Sequence, residues 1–285
     1  MKKVIVLNKK EGKTPLECLD DFRVKNKKYK EVKMTYAGRL DPMASGILLV
    51  LTGDETKNKE KYLKLDKEYE FEILFGFATD TYDVLGKVLD TYDVLGIPKV
   101  NNFLRSSVPR VPIPARPFKN HSPLEFRNEI QHNLKYFTGK FIQKYPIYSS
   151  KTVKGKPLFT YARSGKDVEI PEREVNVKSL KFVKLRKVNK KKLLENIEKR
   201  IKKVKGPAST REGKPTRGGD FRQEEILKIW RKKLKKENSF YIASFKIKCS
   251  SGTYVRGIAN SLGEKLNIPA LAFSIKRTRV GKYVI

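Results

Sequence analysis

Apolar residues recur along this chain at two spacings, and the switches between them mark its elements. Residues 3–8 (Lys-Val-Ile-Val-Leu-Asn) read as a first strand. A helix follows, with Thr14 as N-cap, Pro15 at the first helical position, Glu17 completing a capping box, and Leu16, Leu19 and Phe22 as its apolar stripe. The run Ile47-Leu48-Leu49-Val50-Leu51 is a buried strand, entered from a turn flanked by Gly and Pro. Leu63 and Leu65 lead into a half-buried strand in which Tyr69, Phe71, Ile73 and Phe75 alternate with other side chains. Tyr241, Ala243, Phe245, Ile247 and Cys249 repeat that alternation. Ser250-Ser251-Gly252 then makes a turn. Val255, Ile258, Ala259, Leu262 and Leu266 form the buried stripe of the next helix, with Arg256 in its first turn and off the stripe. Strands and helices mixed in this way predict an α+β fold.

Three stretches depart from these periods. The heptapeptide Asp-Thr-Tyr-Asp-Val-Leu-Gly occurs at 80–86 and again at 90–96, a local duplication too short for a solenoid. Residues 106–123 carry five prolines, which forbid a helix and favour an extended loop; Arg110, Arg116 and Lys119 make it basic. Residues 190–238 hold 18 Lys and Arg against 7 Asp and Glu, more than twice the net charge density of the rest. In that stretch Leu193, Leu194, Ile197, Ile201 and Val204 mark one amphipathic helix. Ile226, Leu227, Ile229, Trp230 and Leu234 mark a second, with a Gly- and Pro-bearing linker between them. The segment reads as a basic helical hairpin inserted into a sheet protein, either to contact RNA or as a solvated decoration.

Charge narrows the choice of partner. Over 285 residues, 64 Lys and Arg face 31 Asp and Glu, a net charge of +33. A polyanion such as nucleic acid relieves that self-repulsion, because each phosphate contact releases counterions. No apolar run approaches the ~20 residues of a membrane helix, so no membrane association is expected. Cys18 and Cys249 provide no disulfide framework, and with His121 and His132 they provide no metal-ligand spacing. With no signal peptide at the start, the cytoplasm is the expected location.

Residues 35–46, Thr-Tyr-Ala-Gly-Arg-Leu-Asp-Pro-Met-Ala-Ser-Gly, are the strongest candidate for chemistry. They place Asp41 in a rigid turn ahead of a buried strand. Asp-Pro alone is a common turn dipeptide, but Gly38, Ala44 and Gly46 let another chain approach the carboxylate closely. A catalytic Asp in a cleft needs a cation to aim it, and an Arg fork does this well. Arg256 is the candidate, 215 residues away, so only the fold could bring the two together. Tyr69 could be core or could stack on a base.

These residues sit in blocks that closely resemble the TruB family of pseudouridine synthases. The Asp41 segment matches that family's Gly-x-Leu-Asp-Pro-x-Ala-x-Gly signature. Asn8-Lys9 through Gly12 and Thr14 is similar to its opening block, with Lys10 in place of Pro. Lys67-Glu68-Tyr69 is similar to the block whose Tyr stacks on the target uracil. Gly76, Thr79-Asp80-Thr81, Asp83 and Gly86 resemble a further cleft motif. Gly139, Gln143, Pro146 and Tyr148-Ser149, then Lys151, Gly155, Tyr161-Ala162-Arg163 and Gly165, resemble the middle block. Cys249-Ser250 with Gly252-Thr253-Tyr254-Val255-Arg256 resembles the block whose Arg pairs with the catalytic Asp. Ile275, Arg277-Thr278 and Val280-Gly281 resemble the closing block, in which an apolar residue lines the active site.

The resemblance implies a mixed, mostly antiparallel sheet with flanking helices and a central RNA-binding cleft, in one catalytic domain spanning 1–285. It implies isomerisation of a uridine in tRNA, at position 55 of the T-loop, by base flipping, glycosidic cleavage and reattachment through C5, without cofactor or metal. Asp41, Tyr69 and Arg256 are then catalytic. Lys9, Tyr36, Gly38, Arg39, Asp83, Tyr254 and Ile275 are substrate-binding. A monomer is expected. Tyr36 stands where bacterial members usually have His, and Tyr145 replaces one of two prolines. The chain stops just after the last block, so the C-terminal PUA domain is expected to be absent, with the 190–238 hairpin partly compensating. A tRNA-binding folding helper, the catalytic subunit of a guide-RNA particle and a structural ribosome-associated protein are the rival readings. Intact Asp41, Tyr69 and Arg256 argue against the first, the missing PUA domain against the second and the ordered motifs against the third.

Overall fold

The computed structural model describes residues 2–89, 122–204, 221–234 and 239–285. The second heptapeptide copy and residues 106–121 of the Pro-rich stretch lie outside them.

Its frame is a nine-stranded sheet, mostly antiparallel. β1 (Val4–Lys9) and β2 (Met34–Ala37) both pair antiparallel with β3 (Ala44–Thr52). β4 (Lys67–Phe75) comes next in the chain, then β5 (Gly139–Lys144). A small ribbon of β6 (Thr152–Val153) and β7 (Lys156–Pro157) stands apart. The long β8 (Glu172–Asn189), β9 (Ser239–Cys249), β10 (Ala270–Val280) and β11 (Tyr283–Val284) complete the set. The order across the sheet is β1-β3-β10-β4-β9-β8-β5. Among the described strands only β3 and β10 run parallel, over Ala44–Gly46 and Ile275–Arg277. Past that point β2 takes over the same edge of β3, from Leu49 to Thr52.

Helices cover both faces at one end. On one side, α3 (Pro123–Asn133) and α7 (Val255–Leu266) pack Phe126, Ile130, Ile258 and Leu262 against Phe71, Ile73, Phe75 and Phe245. On the other, α5 (Lys190–Ile201) and α6 (Gln223–Lys233) pack Leu193, Ile197, Ile226 and Trp230 against Leu74, Ile242, Leu271 and Phe273. Ile73, Leu74 and Phe75 are therefore all buried, where simple alternation would leave Leu74 exposed. At the uncovered end of β4 the outward positions carry Glu68 and Glu70, which pair with Lys248 and Lys246 of β9.

Two expectations change here. The α5–α6 hairpin is no solvated decoration: its apolar faces are part of the core, and only its opposite faces carry exposed lysines. In α1 (Pro15–Lys25) the Thr14–Glu17 capping box is present, but Leu16 points to solvent. The ring of Tyr29 covers the Phe22 side of that helix, 5.2 Å away, and Leu19 fills the cluster with Ile5 and Val50. Leu16, a turn earlier, lies beyond that cluster. Two short helices, α2 (Lys59–Leu63) and α4 (Leu158–Ser164), complete the description. No helix among the described residues is long and apolar enough to cross a membrane.

Candidate active site

Asp41 lies in the loop between β2 and β3. Its carbonyl accepts from Ala44 N–H at 3.0 Å, closing a turn in which Pro42 restricts the backbone. The turn delivers the chain into β3, where Gly46 meets β10: a Cβ there would lie 2.2 Å from the Arg277 carbonyl oxygen, and φ is +103°. Only glycine allows that approach.

Arg256 reaches Asp41 from the first turn of α7. Its Nε donates to Asp41 Oδ2 at 2.8 Å, its Nη1 to the Thr81 carbonyl at 2.8 Å and its Nη2 to the Tyr148 carbonyl at 2.9 Å. Each guanidinium nitrogen is thus committed, and the fork cannot swing. The pair is asymmetric: the Arg256 side chain is 3% exposed, the Asp41 side chain 39%. A buried cation holds a carboxylate that still opens to solvent, an arrangement that presents an anion to an incoming substrate.

Other expected residues converge on this pair. Lys9 is fully buried and donates to the carbonyls of Lys10, Lys13 and Pro42, the last at 3.4 Å. Burial pushes its ammonium down to about 8, against the pull of Asp41. Asp83 is buried in the loop after β4, its Oδ1 accepting from Thr81 Oγ1 at 2.8 Å and Leu85 N–H at 3.0 Å. Burial pushes its carboxyl up to about 6; Arg256 opposes the shift and Asp41 reinforces it. The Tyr254 backbone is clamped by Gln143, whose Oε1 accepts its N–H at 2.9 Å and whose Nε2 donates to its carbonyl at 3.0 Å. Tyr69 lies on β4 opposite Arg277 of β10 and is partly buried against the α7-side core. Burial pushes its phenol up to about 12, and Arg277 pulls the other way. The Asp41 charge favours the protonated forms of Lys9, Tyr69, Asp83 and Tyr254. Ile275 is opposite Ala44 on one side and Phe71 on the other, beside the Asp41 turn.

Tyr36, Gly38 and Arg39 sit at the back of the turn. Tyr36 belongs to the α1-side cluster, and Arg39 and Lys59 each approach its ring at 6.0 Å. The Gly38 and Arg39 carbonyls accept from Arg277 at 3.0 and 3.4 Å, while Arg277 Nε donates to the Ile47 carbonyl at 2.8 Å. Arg277, 2% exposed, fills the gap where β10 leaves β3 and ties both ends of the Asp41 turn. It appeared in the closing block without a role, and a buried Arg cannot be told from a surface one in an alternating strand. Tyr82 was also passed over. It adopts φ +64°, uncommon for a residue with a side chain, and its carbonyl accepts from Ala272 N–H at 2.9 Å, docking the Asp83 loop onto β10.

The chain is similar over most of its length to known proteins. The sequence profile of the TruB family pseudouridylate synthase N-terminal domain matches residues 25–109 and 119–206. A tRNA pseudouridine synthase B from Lactobacillus gasseri is 31% identical over 280 residues, 98% of this chain and 69% of that protein. One from Caldanaerobacter subterraneus subsp. tengcongensis is 30% identical over 282 residues, 98% of this chain and 70% of that protein. The fold is similar to a chain in the crystal structure of a Cbf5–Nop10–Gar1 complex, with a TM-score of 0.52 and 17% identity, covering 99% of this chain and 49% of that one. The matches define an isomerase, a pseudouridine synthase. The chain belongs to the TruB family of these enzymes.

Proposed function

We propose that this enzyme converts a uridine of tRNA, in the T-loop at position 55, to pseudouridine, with Asp41 as the catalytic carboxylate. The observation that carries the reading is the 2.8 Å Arg256–Asp41 pair, with its cation buried and its carboxylate accessible. The chemistry breaks the N1–C1′ bond and forms a C5–C1′ bond; the base loses a proton at C5 and gains one at N1. No oxidant, reductant or external group enters. Asp41 acts at the ribose, by attack at C1′ or by removal of the 2′ hydrogen, and either route divides one difficult step into easier ones. Arg256 aims it. Tyr69 stacks on the flipped uracil; its phenol, pushed up to about 12, stays protonated at neutral pH, which suits a stacking surface better than a base.

The target base must leave its stack at a cost of a few kcal/mol, and phosphate contacts along the basic surface offset that cost. Lys9, Tyr36, Gly38, Arg39, Asp83, Tyr254 and Ile275 shape the pocket and its rear wall. Residues 1–285 act as one catalytic unit, with 190–238 as a basic helical addition, working in the cytoplasm.

The test is pseudouridine mapping on unmodified tRNA transcripts incubated with wild type and with Asp41→Asn. The expected result is a new T-loop pseudouridine with wild type only, while the variant retains RNA binding. Product from Asp41→Asn above about a tenth of wild type contradicts the role of Asp41, given the many orders of magnitude enzymes supply. Tight binding without any product supports a tRNA-binding folding helper instead.

A further inference from the structure

The basic hairpin grips the two loops that hold the catalytic pair. From α5, Arg200 is buried and donates twice to Glu11 Oε2, at 3.0 and 2.7 Å, with Lys203 on the other oxygen at 3.4 Å. Next in the chain, Gly12 lies against the Lys203 backbone so closely that a Cβ would fall 2.6 Å from its carbonyl oxygen. Gly12 N–H donates at 2.9 Å to the carbonyl of Pro42, the residue after Asp41.

From α6 the grip falls on the loop at 77–89. Arg222 Nη1 donates to Asp80 Oδ2 at 3.0 Å, and its guanidinium lies 5.0 Å from the Tyr148 ring. Lys87 pairs with Glu225 at 2.6 Å, and the Trp230 indole N–H donates to the Val84 carbonyl at 3.2 Å. Thr81 and Tyr148, whose carbonyls hold Arg256, are thus one residue from, or identical with, the residues Arg222 touches. Arg222 also adopts φ +58°, a conformation that disfavours residues with a Cβ and persists where surroundings impose it.

We propose that Arg200 and Arg222 are positioning residues, and that the lysine-rich hairpin braces the active site by fixing the Asp41 turn from one side and the Arg256 carbonyl cradle from the other. This rests on the reading under Proposed function. It makes α5 and α6 part of the machinery of catalysis, with any RNA contact left to their exposed lysines.

The test compares Arg200→Ala, Arg222→Ala and Arg222→Lys in single-turnover isomerisation and tRNA binding. Each Ala variant is expected to lower kcat about tenfold, the scale of a misplaced reacting group, with KM and Kd within about twofold. Arg222→Lys restores part of the loss by keeping the charge on Asp80. Trp230 is the chain's single tryptophan, so its emission reports whether the hairpin stays docked. Should Arg222→Ala shift that emission, Arg222→Gln, of similar length and uncharged, is read by the same criteria. A raised KM with unchanged kcat overturns the proposal in favour of RNA contact. Unchanged kcat in folded protein with a lowered Tm overturns it in favour of a merely structural role. Hydrogen exchange reads the brace without turnover: amides at 79–88 should exchange faster in Arg222→Ala, and those at 10–13 in Arg200→Ala. Unchanged exchange overturns the brace even if the wild type modifies no transcript, an outcome that separately counts against the proposed activity.

Discussion

Asp83 shows how a single buried group couples the site to pH. Its folded carboxyl is pushed up to about 6 from an ordinary value of 3.8, chiefly by burial. A raised carboxyl means that the native state binds the proton more tightly than the unfolded chain does. Stability from this group is therefore greatest below about pH 4, falls as pH rises from 3.8 to about 6, and stays low above that. Asp83→Asn keeps an oxygen for Thr81 and Leu85 and does not titrate. Its unfolding free energy relative to wild type should rise by on the order of 1–3 kcal/mol between pH 4 and 7, then level off. Urea melts across that range check this; a difference that stays flat with pH would mean that folding does not shift the Asp83 carboxyl. At neutral pH the charge on Asp83 favours the protonated Arg256 guanidinium that holds Asp41.

Among the elements, α6 has the most to lose. It is an 11-residue helix with three basic residues in its last turn, and it takes its place through Trp230. That indole is fully buried, meets Phe77 edge-on at 5.1 Å and hydrogen-bonds to Val84. Trp230→Ala would leave a cavity between α6 and the sheet and should cost about 3–5 kcal/mol in equilibrium unfolding. A loss under about 1 kcal/mol would mean the site collapses easily and that α6 is loosely held. For the same reason, deleting 190–238 does not cleanly isolate an RNA-binding role: it would strip one face from Leu74, Leu271 and Phe273.

For the molecule as a whole, the net charge of +33 sets how it meets RNA. Exposed lysines on β8, α5 and α6 lie outside the Asp41–Arg256 site. Binding should therefore be steeply salt-dependent, with affinity for tRNA falling by ~10³ or more between 50 and 200 mM salt if six or more phosphates are contacted. Asp41→Asn should follow the same slope as wild type, because the site carboxylate is not part of that field. Titrations of labelled transcript across salt measure both. A shallow wild-type slope would mean that the charge is ordinary solvated surface.

The short-range features of this protein could be read from its residues. The Thr14–Glu17 box, the alternation in β4 and β9 and the turn before β3 each depend on groups within about four positions of one another, so local geometry decides them. The motif order likewise pointed to Asp41 and to a distant Arg partner. Where the chain lies in space could not be read this way. Leu16 and Leu19 look alike in sequence, and only the position of Tyr29 and β1 separates the exposed one from the buried one. Arg256 reads as off the buried stripe of α7, yet it is buried because Asp41, Thr81 and Tyr148 arrive from three other segments. Arg277 closes the handover from β10 to β2 along β3, a gap that exists only once strands far apart in the chain have paired. The basic hairpin reads as a surface feature by charge, yet its apolar faces dock on the sheet and bring Arg200 and Arg222 onto Glu11 and Asp80. Local propensity acts through neighbouring backbone and caps; site assembly depends on burial and register between segments up to 239 residues apart, which only the packed sheet and helices determine.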